Sequence, residues 1–89
     1  MDVELRFFAT FREAVGQKVL EREVEPGTTV GEMLDDLVAE YDLDVYEDGD
    51  IRSQVSVMKN GTDVYHLDGI DTALADGDAV SVFPPVAGG

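Results

Sequence analysis

The chain is predicted to fold as an α+β domain, a mixed sheet of four to five strands packed on one main helix. Three observations carry that expectation. Apolar residues alternate near both ends, at Val3, Leu5 and Phe7 and again at Val80 and Val82, as in half-buried strands. One long helical repeat lies between them, with Val30, Met33, Leu34, Leu37, Val38 and Tyr41 on a single face. Asn60-Gly61, the dipeptide that best fits a two-residue hairpin, separates two short β-like runs. At 89 residues the chain is long enough for one core and too short for two.

The elements follow in order. Asp2 to Phe8 reads as the first strand, with Asp2, Glu4 and Arg6 on its polar face. A short helical turn comes next. Thr10 and Glu13 have capping-box spacing, Phe11, Ala14 and Val15 share a face, and Gly16 can terminate the turn. Gln17 to Glu25 is a second strand in which Arg22 shares a face with Leu20 and Val24, its stem lying along the apolar surface. Pro26-Gly27 turns the chain into the main helix, which Thr29 and Glu32 open as a second capping box. Asp42 to Arg52 is acidic, with Leu43, Val45, Tyr46 and Ile51 scattered through it, and is expected to be the least regular part.

Val55 to Lys59 forms a third strand, and Thr62 to Leu67 is expected to return antiparallel to it. Ile70 to Leu74 reads as a turn or a single helical turn. Ala79 to Phe83 is the last strand, and Pro84 ends it because proline cannot donate to a ladder. Residues 1–83 are therefore the folded domain. Residues 84–89, Pro-Pro-Val-Ala-Gly-Gly, form a tail.

Composition removes several kinds of chemistry. There is no cysteine, hence no disulfide, thiolate nucleophile or cysteine metal site. His66 is the only histidine, which rules out histidine-paired triads and multi-histidine metal sites; strand-end packing is its expected role. A calcium loop started at Asp44 places Asp48 and Gly49 well, but puts Tyr46 third and Val55 where a bidentate Glu belongs. A solvated charged loop fits that segment better, and no metal or bound cofactor is expected. The glycines form neither a dinucleotide fingerprint nor a phosphate loop. No pair of carboxylates is set apart by its surroundings for acid–base work. The chain is not expected to be an enzyme.

Charge is the second strong signal. Twenty acidic residues face four arginines and two lysines, for a net charge of −14. Such a surface repels nucleic acid and anionic membranes. With no basic-apolar leader and no membrane-length apolar run, the expectation is a cytoplasmic monomer. A basic docking partner is one explanation of the charge. The acids are spread along the whole chain, which favours adaptation to a salt-rich cytoplasm, where self-repulsion is screened.

The tail is what remains as a chemical handle. Gly88 and Gly89 lack side chains and suit a slot too narrow for any other residue. Pro84 and Pro85 favour an extended path, and six residues at ~3.3 Å each would reach roughly 20 Å. A carboxylate is a poor acyl donor until converted to a mixed anhydride with AMP, and no nucleotide site is visible in this chain. Activation therefore needs an external ATP-using enzyme. Attack on the activated Gly89 carbonyl by a sulfur donor would give a thiocarboxylate. Attack by a lysine would give an isopeptide. An inert tail on a stand-alone binding module is the third reading.

The chain resembles the β-grasp, ubiquitin-like proteins of the sulfur-carrier and small archaeal modifier group. The resemblance lies in Leu5-Arg6-Phe7-Phe8-Ala9, Thr29-Val30-Gly31, Asn60-Gly61, Leu74-Ala75-Asp76-Gly77-Asp78 and Phe83-Pro84-Pro85-Val86-Ala87-Gly88-Gly89. It implies a ubiquitin-like β-grasp fold and adenylation of Gly89 by an E1-like enzyme. It further implies either transfer to lysines of target proteins or sulfur donation, in tRNA thiolation or as the small subunit beside a molybdopterin synthase large subunit. Lys18 and Lys59 are then the internal acceptor candidates, with plain surface lysines as the alternative. Phe8, Phe83 and Val86 are candidates for a docking patch beside the tail, with core packing as the alternative. The acidic surface makes one prediction of its own. Moving the protein from about 2 M KCl to dilute buffer should lower its melting temperature, by roughly 4–8 °C for each kcal/mol of repulsion left unscreened. A calorimetric transition that does not move would remove the salt-adaptation reading.

Overall fold

The structure is a computed structural model that describes residues 1–85. Its strands are β1 (Asp2–Phe7), β2 (Val19–Glu23), β3 (Tyr46–Glu47), β4 (Asp50–Ile51), β5 (Ser56–Lys59), β6 (Thr62–Asp63) and β7 (Ala79–Phe83). Its helices are α1 (Ala9–Val15) and α2 (Val30–Tyr41), with 3₁₀ turns at Val64–His66 and Gly69–Asp71. Five strands form one mixed sheet in the order β2-β1-β7-β5-β6, and β3 and β4 form a separate hairpin. Only β1 and β7 run parallel, with Leu5 opposite Val80 and Phe7 opposite Val82.

Alternation puts one set of strand side chains inside. Val3, Leu5, Phe7, Val57, Val80 and Val82 meet Val30, Met33, Leu34 and Leu37 of α2 in a single buried cluster. Thr29 caps α2 as its spacing predicts: its Oγ1 accepts from the Glu32 N–H at 3.2 Å, and Glu32 Oε1 accepts from the Thr29 N–H at 3.1 Å. The helix start is also stitched to the chain before β7, where the Val30 N–H donates to the Thr72 carbonyl and the Leu74 N–H to that of Thr28. Gly31 is needed there. A Cβ on it would lie 2.9 Å from both the Cβ and the carbonyl oxygen of Ile70.

Several sequence expectations are corrected. Thr10 and Glu13 do not form a capping box, because β1 ends at Phe7 and Phe8 becomes the N-cap, with no side-chain hydrogen bond. Ala14 is exposed, while Phe11 and Val15 are buried and Gly16 closes the helix at φ 86°. The segment 42–52 is more regular than expected. Leu43 and Val45 are core residues, and Asp48-Gly49, both at positive φ, turn β3 into β4. The Tyr46 hydroxyl ties this hairpin to α2 by donating to the Gly31 carbonyl at 3.1 Å. Burial, with help from Asp35, holds that hydroxyl in its protonated form. The strand expected over Thr62–Leu67 stops at Asp63, whose Oδ1 accepts the Tyr65 N–H and starts a 3₁₀ turn instead. His66 is consequently exposed on that turn rather than packed at a strand end.

One buried carboxylate locks the hairpin β5–β6 to the start of β7. Asp78, only 8% exposed, accepts from the Ala75 N–H and from the Asn60 amide, both at 2.8 Å, with Lys59 Nζ at 3.6 Å. Desolvation pushes its pKa up, but the Ala75 and Asn60 hydrogen bonds and the Lys59 charge prevail and hold it below the ordinary 3.8. A depressed carboxylate stabilises the fold above its unfolded pKa, and that stability drains as pH falls through the lower folded value. Asp78→Asn should therefore cost about 1–2 kcal/mol at neutral pH. The gap to the parent protein should close as urea melts are repeated below about pH 4. A gap that stays constant down to pH 2 would contradict this role.

Candidate functional site

The tail leaves the body from the middle of the sheet, because β7 lies between β1 and β5. Parity decides which side chains surround that exit. Phe7 and Val82 point into the core, so the next residue along each strand, Phe8 and Phe83, falls on the opposite face. Parallel pairing brings those two side by side. Their rings stack with centroids 4.3 Å apart and 11° between planes, and each residue is half-buried. Ala9, at φ 51°, turns the chain away directly after Phe8 and leaves its ring on this face.

Ser56 pairs opposite Phe83, and one step along the sheet Met58 pairs with Ser81, which in turn faces Arg6. These neighbours were not picked out from the sequence. The available signal was parity for Arg6 and Ser81, two residues before Phe8 and Phe83, whereas Ser56 and Met58 are placed only by the pairing of β5 with β7. The signal becomes usable only once the register is known. Arg6 is held by Glu4 on the same face at 2.6 Å.

At the end of β7, Pro84 is buried and Pro85 exposed. Val86, Gly88 and Gly89 lie outside the described residues. The two lysines sit at opposite ends of the sheet. Lys18 is exposed beside the exit end, its carbonyl accepting from the Phe7 N–H at 2.8 Å, and among the described residues its amine makes no ion pair. Lys59 is at the far end, 23% exposed at its side chain, with Nζ donating to the Ala73 carbonyl at 3.1 Å and close to Asp78. The acidic segment stands apart from both. Asp44 is paired with Arg52 at 2.5 Å, and among the described residues no group of three or more His, Asp or Glu is placed to hold a metal ion. No described helix is long and apolar enough to cross a membrane.

A stacked aromatic pair therefore lies beside the end of β7, where the described chain leaves the sheet. The family model described as the ThiS family matches residues 5–89. The chain is 60% identical over 92 residues to small archaeal modifier protein 3 of Haloferax volcanii, covering all of both chains. It is 38% identical over 69 residues to the sulfur carrier protein CysO of Mycobacterium tuberculosis, covering 71% of this chain and 74% of that protein. The crystal structure of small archaeal modifier protein 1 from Haloferax volcanii superposes with a TM-score of 0.84 at 31% identity, covering all of both chains. The sheet and helix are thus those of a ubiquitin-like β-grasp protein. The relatives are small modifier and sulfur carrier proteins.

The stacked pair can be tested directly. Phe8→Ala and Phe83→Ala should each destabilise the fold. A double-mutant cycle by urea unfolding should return a coupling of about 0.5–1.5 kcal/mol. Additive effects would mean that the rings do not stack in solution.

Proposed function

The chain belongs to the ThiS family, and from that premise we propose that it is a ubiquitin-like protein modifier activated at Gly89. A separate E1-like enzyme supplies the ATP chemistry. The Gly89 carboxylate attacks the α-phosphorus of ATP, pyrophosphate leaves, and an acyl-adenylate forms. A target lysine Nζ then attacks the acyl carbon, loses a proton and expels AMP, leaving an isopeptide bond. The observation that most supports this reading is the 60% identity, over the whole of both chains, to a small archaeal modifier protein. The exit geometry suits it, because the enzyme can hold the body by the Phe8–Phe83 face while the arm enters its catalytic slot.

A second reading is favoured by the similarity to CysO. The same adenylate, attacked by a hydrosulfide-equivalent donor, gives a thiocarboxylate and AMP. In a chain with no cysteine the transferred sulfur would ride on the Gly89 acyl carbon. Partners would then include the enzyme that receives the sulfur, such as a molybdopterin synthase large subunit or a tRNA-thiolating enzyme. One activation step serves both fates.

If copies of the modifier join into chains, the lysines differ as acceptors. Freeing the Lys59 amine from a carbonyl and a buried carboxylate costs about 1–2 kcal/mol, roughly a tenfold handicap against the exposed Lys18. The deciding experiment is mass spectrometry of the cellular pool. Lysines bearing the C-terminal remnant of this chain, residues 60–89 after trypsin because Lys59 is the last tryptic site, establish conjugation, and an intact mass with one oxygen exchanged for sulfur establishes the carrier. Both signals should vanish on deletion of Gly88-Gly89. Self-linkage should fall sharply in Lys18→Arg and little in Lys59→Arg. If the truncated chain gives an unchanged profile, the tail is inert and the domain is a binding module.

A further inference from the structure

The early end of β6 leaves a slot in the sheet. β6 pairs only with Met58 and Lys59, so Ser56 and Val57 have no strand residue opposite them on their outer side. A cavity of about 600 Å³ fills the place where a longer β6 would run. Its floor is Val55, Val57 and Val64, all buried, and Tyr65 stands on its rim 86% exposed. The opposite wall comes from the β4 end, Asp50 to Ser53.

Three features of this slot point to an occupant. It is an open strand edge over an apolar floor, which is the arrangement that accepts an added strand. Arg52 forms part of the wall, and one of its terminal nitrogens pairs with Asp44, so its charge is already answered and does not oppose a basic segment. The rim carries Asp50 and Asp63 on a chain of net charge −14, and an exposed aromatic ring that can receive a cation on its face.

We propose that this slot docks an extended peptide segment of a partner protein, one that adds a short strand to the open half of β5. The segment carries apolar residues at alternate positions and a basic residue at its end. Backbone pairing and the apolar floor supply adhesion that survives high salt, and the rim carboxylates with Tyr65 select the basic end. The site lies across β5 from the tail exit and does not depend on what becomes of Gly89.

The test is an NMR titration of the full chain at about 0.15 M KCl, where surface charges still act over about 8 Å, with the blocked peptide acetyl-Lys-Val-Ser-Val-Ser-Arg-amide. The amides of Ser56, Val57, Val64 and Tyr65 should shift saturably. The same peptide with Glu at both ends should bind at least about tenfold more weakly, as should one with Pro replacing the inner Val, which removes a ladder donor. Tyr65→Ala and Asp50→Lys alter exposed side chains and should each weaken the parent peptide about tenfold with the fold intact. The proposal is overturned by no saturable shifts, by shifts centred on Phe8 and Phe83, or by equal binding of the Glu-ended peptide. It also fails if the slot amides move with protein concentration alone, which would make the occupant a second copy.

Discussion

Everything in this fold depends on the last strand lying in the middle of the sheet. β7 is made from residues 79–83, yet it joins β1–β2 on one side to β5–β6 on the other. Without it the molecule would be two hairpins, each marginal in water. The core shows the same dependence, since Val80 and Val82 are both fully buried among residues of β1, β5 and α2. The hydrogen bonds at Asp78 and Asn60 serve that insertion by fixing the turn before β7 to the hairpin at Asn60-Gly61.

That arrangement also sets where the chain leaves the sheet. A tail on an edge strand would leave beside unpaired backbone. Here it leaves between two paired neighbours, and parallel pairing with β1 delivers Phe8 to the same spot. The aromatic stack and the point where the chain leaves the sheet are therefore set by one register. A one-residue slip of β7 against its neighbours would turn Phe83 inward and put Val82 in water, parting Phe83 from Phe8.

Local signals were legible where they determine local structure. The α2 cap and its apolar face, the Asn60-Gly61 turn and the bounds of β7 all follow from short-range chemistry. The resemblance to the family, carried by the chain's motifs and its last seven residues, agrees with the family match and the β-grasp neighbours. What periodicity could not supply was anything decided at a distance. Leu43 and Val45 look scattered in an acidic run, yet both are core in a segment whose hairpin Tyr46 ties back to Gly31. Thr62 to Leu67 has strand-like composition, but the Asp63 side chain captures a backbone N–H two residues on and bends the chain away. Lys59 looks like any surface lysine until Ala73 and Asp78 arrive beside it. The Phe8–Phe83 stack likewise needed a parallel register, which no pattern of apolar residues specifies.

Pro84 is buried at the end of the central strand, and this has a mechanical consequence. A pull on the chain beyond Pro85 does not peel an edge one hydrogen bond at a time. It runs along the axis of β7, nearly perpendicular to the bonds on both flanks, so the β1 and β5 ladders share the load together. Tension between the two chain ends loads the parallel β1–β7 pair in shear. A domain towed by residue 85 should thus resist force far better in this direction than when pulled from β2 or β6, whose ladders can unzip in sequence.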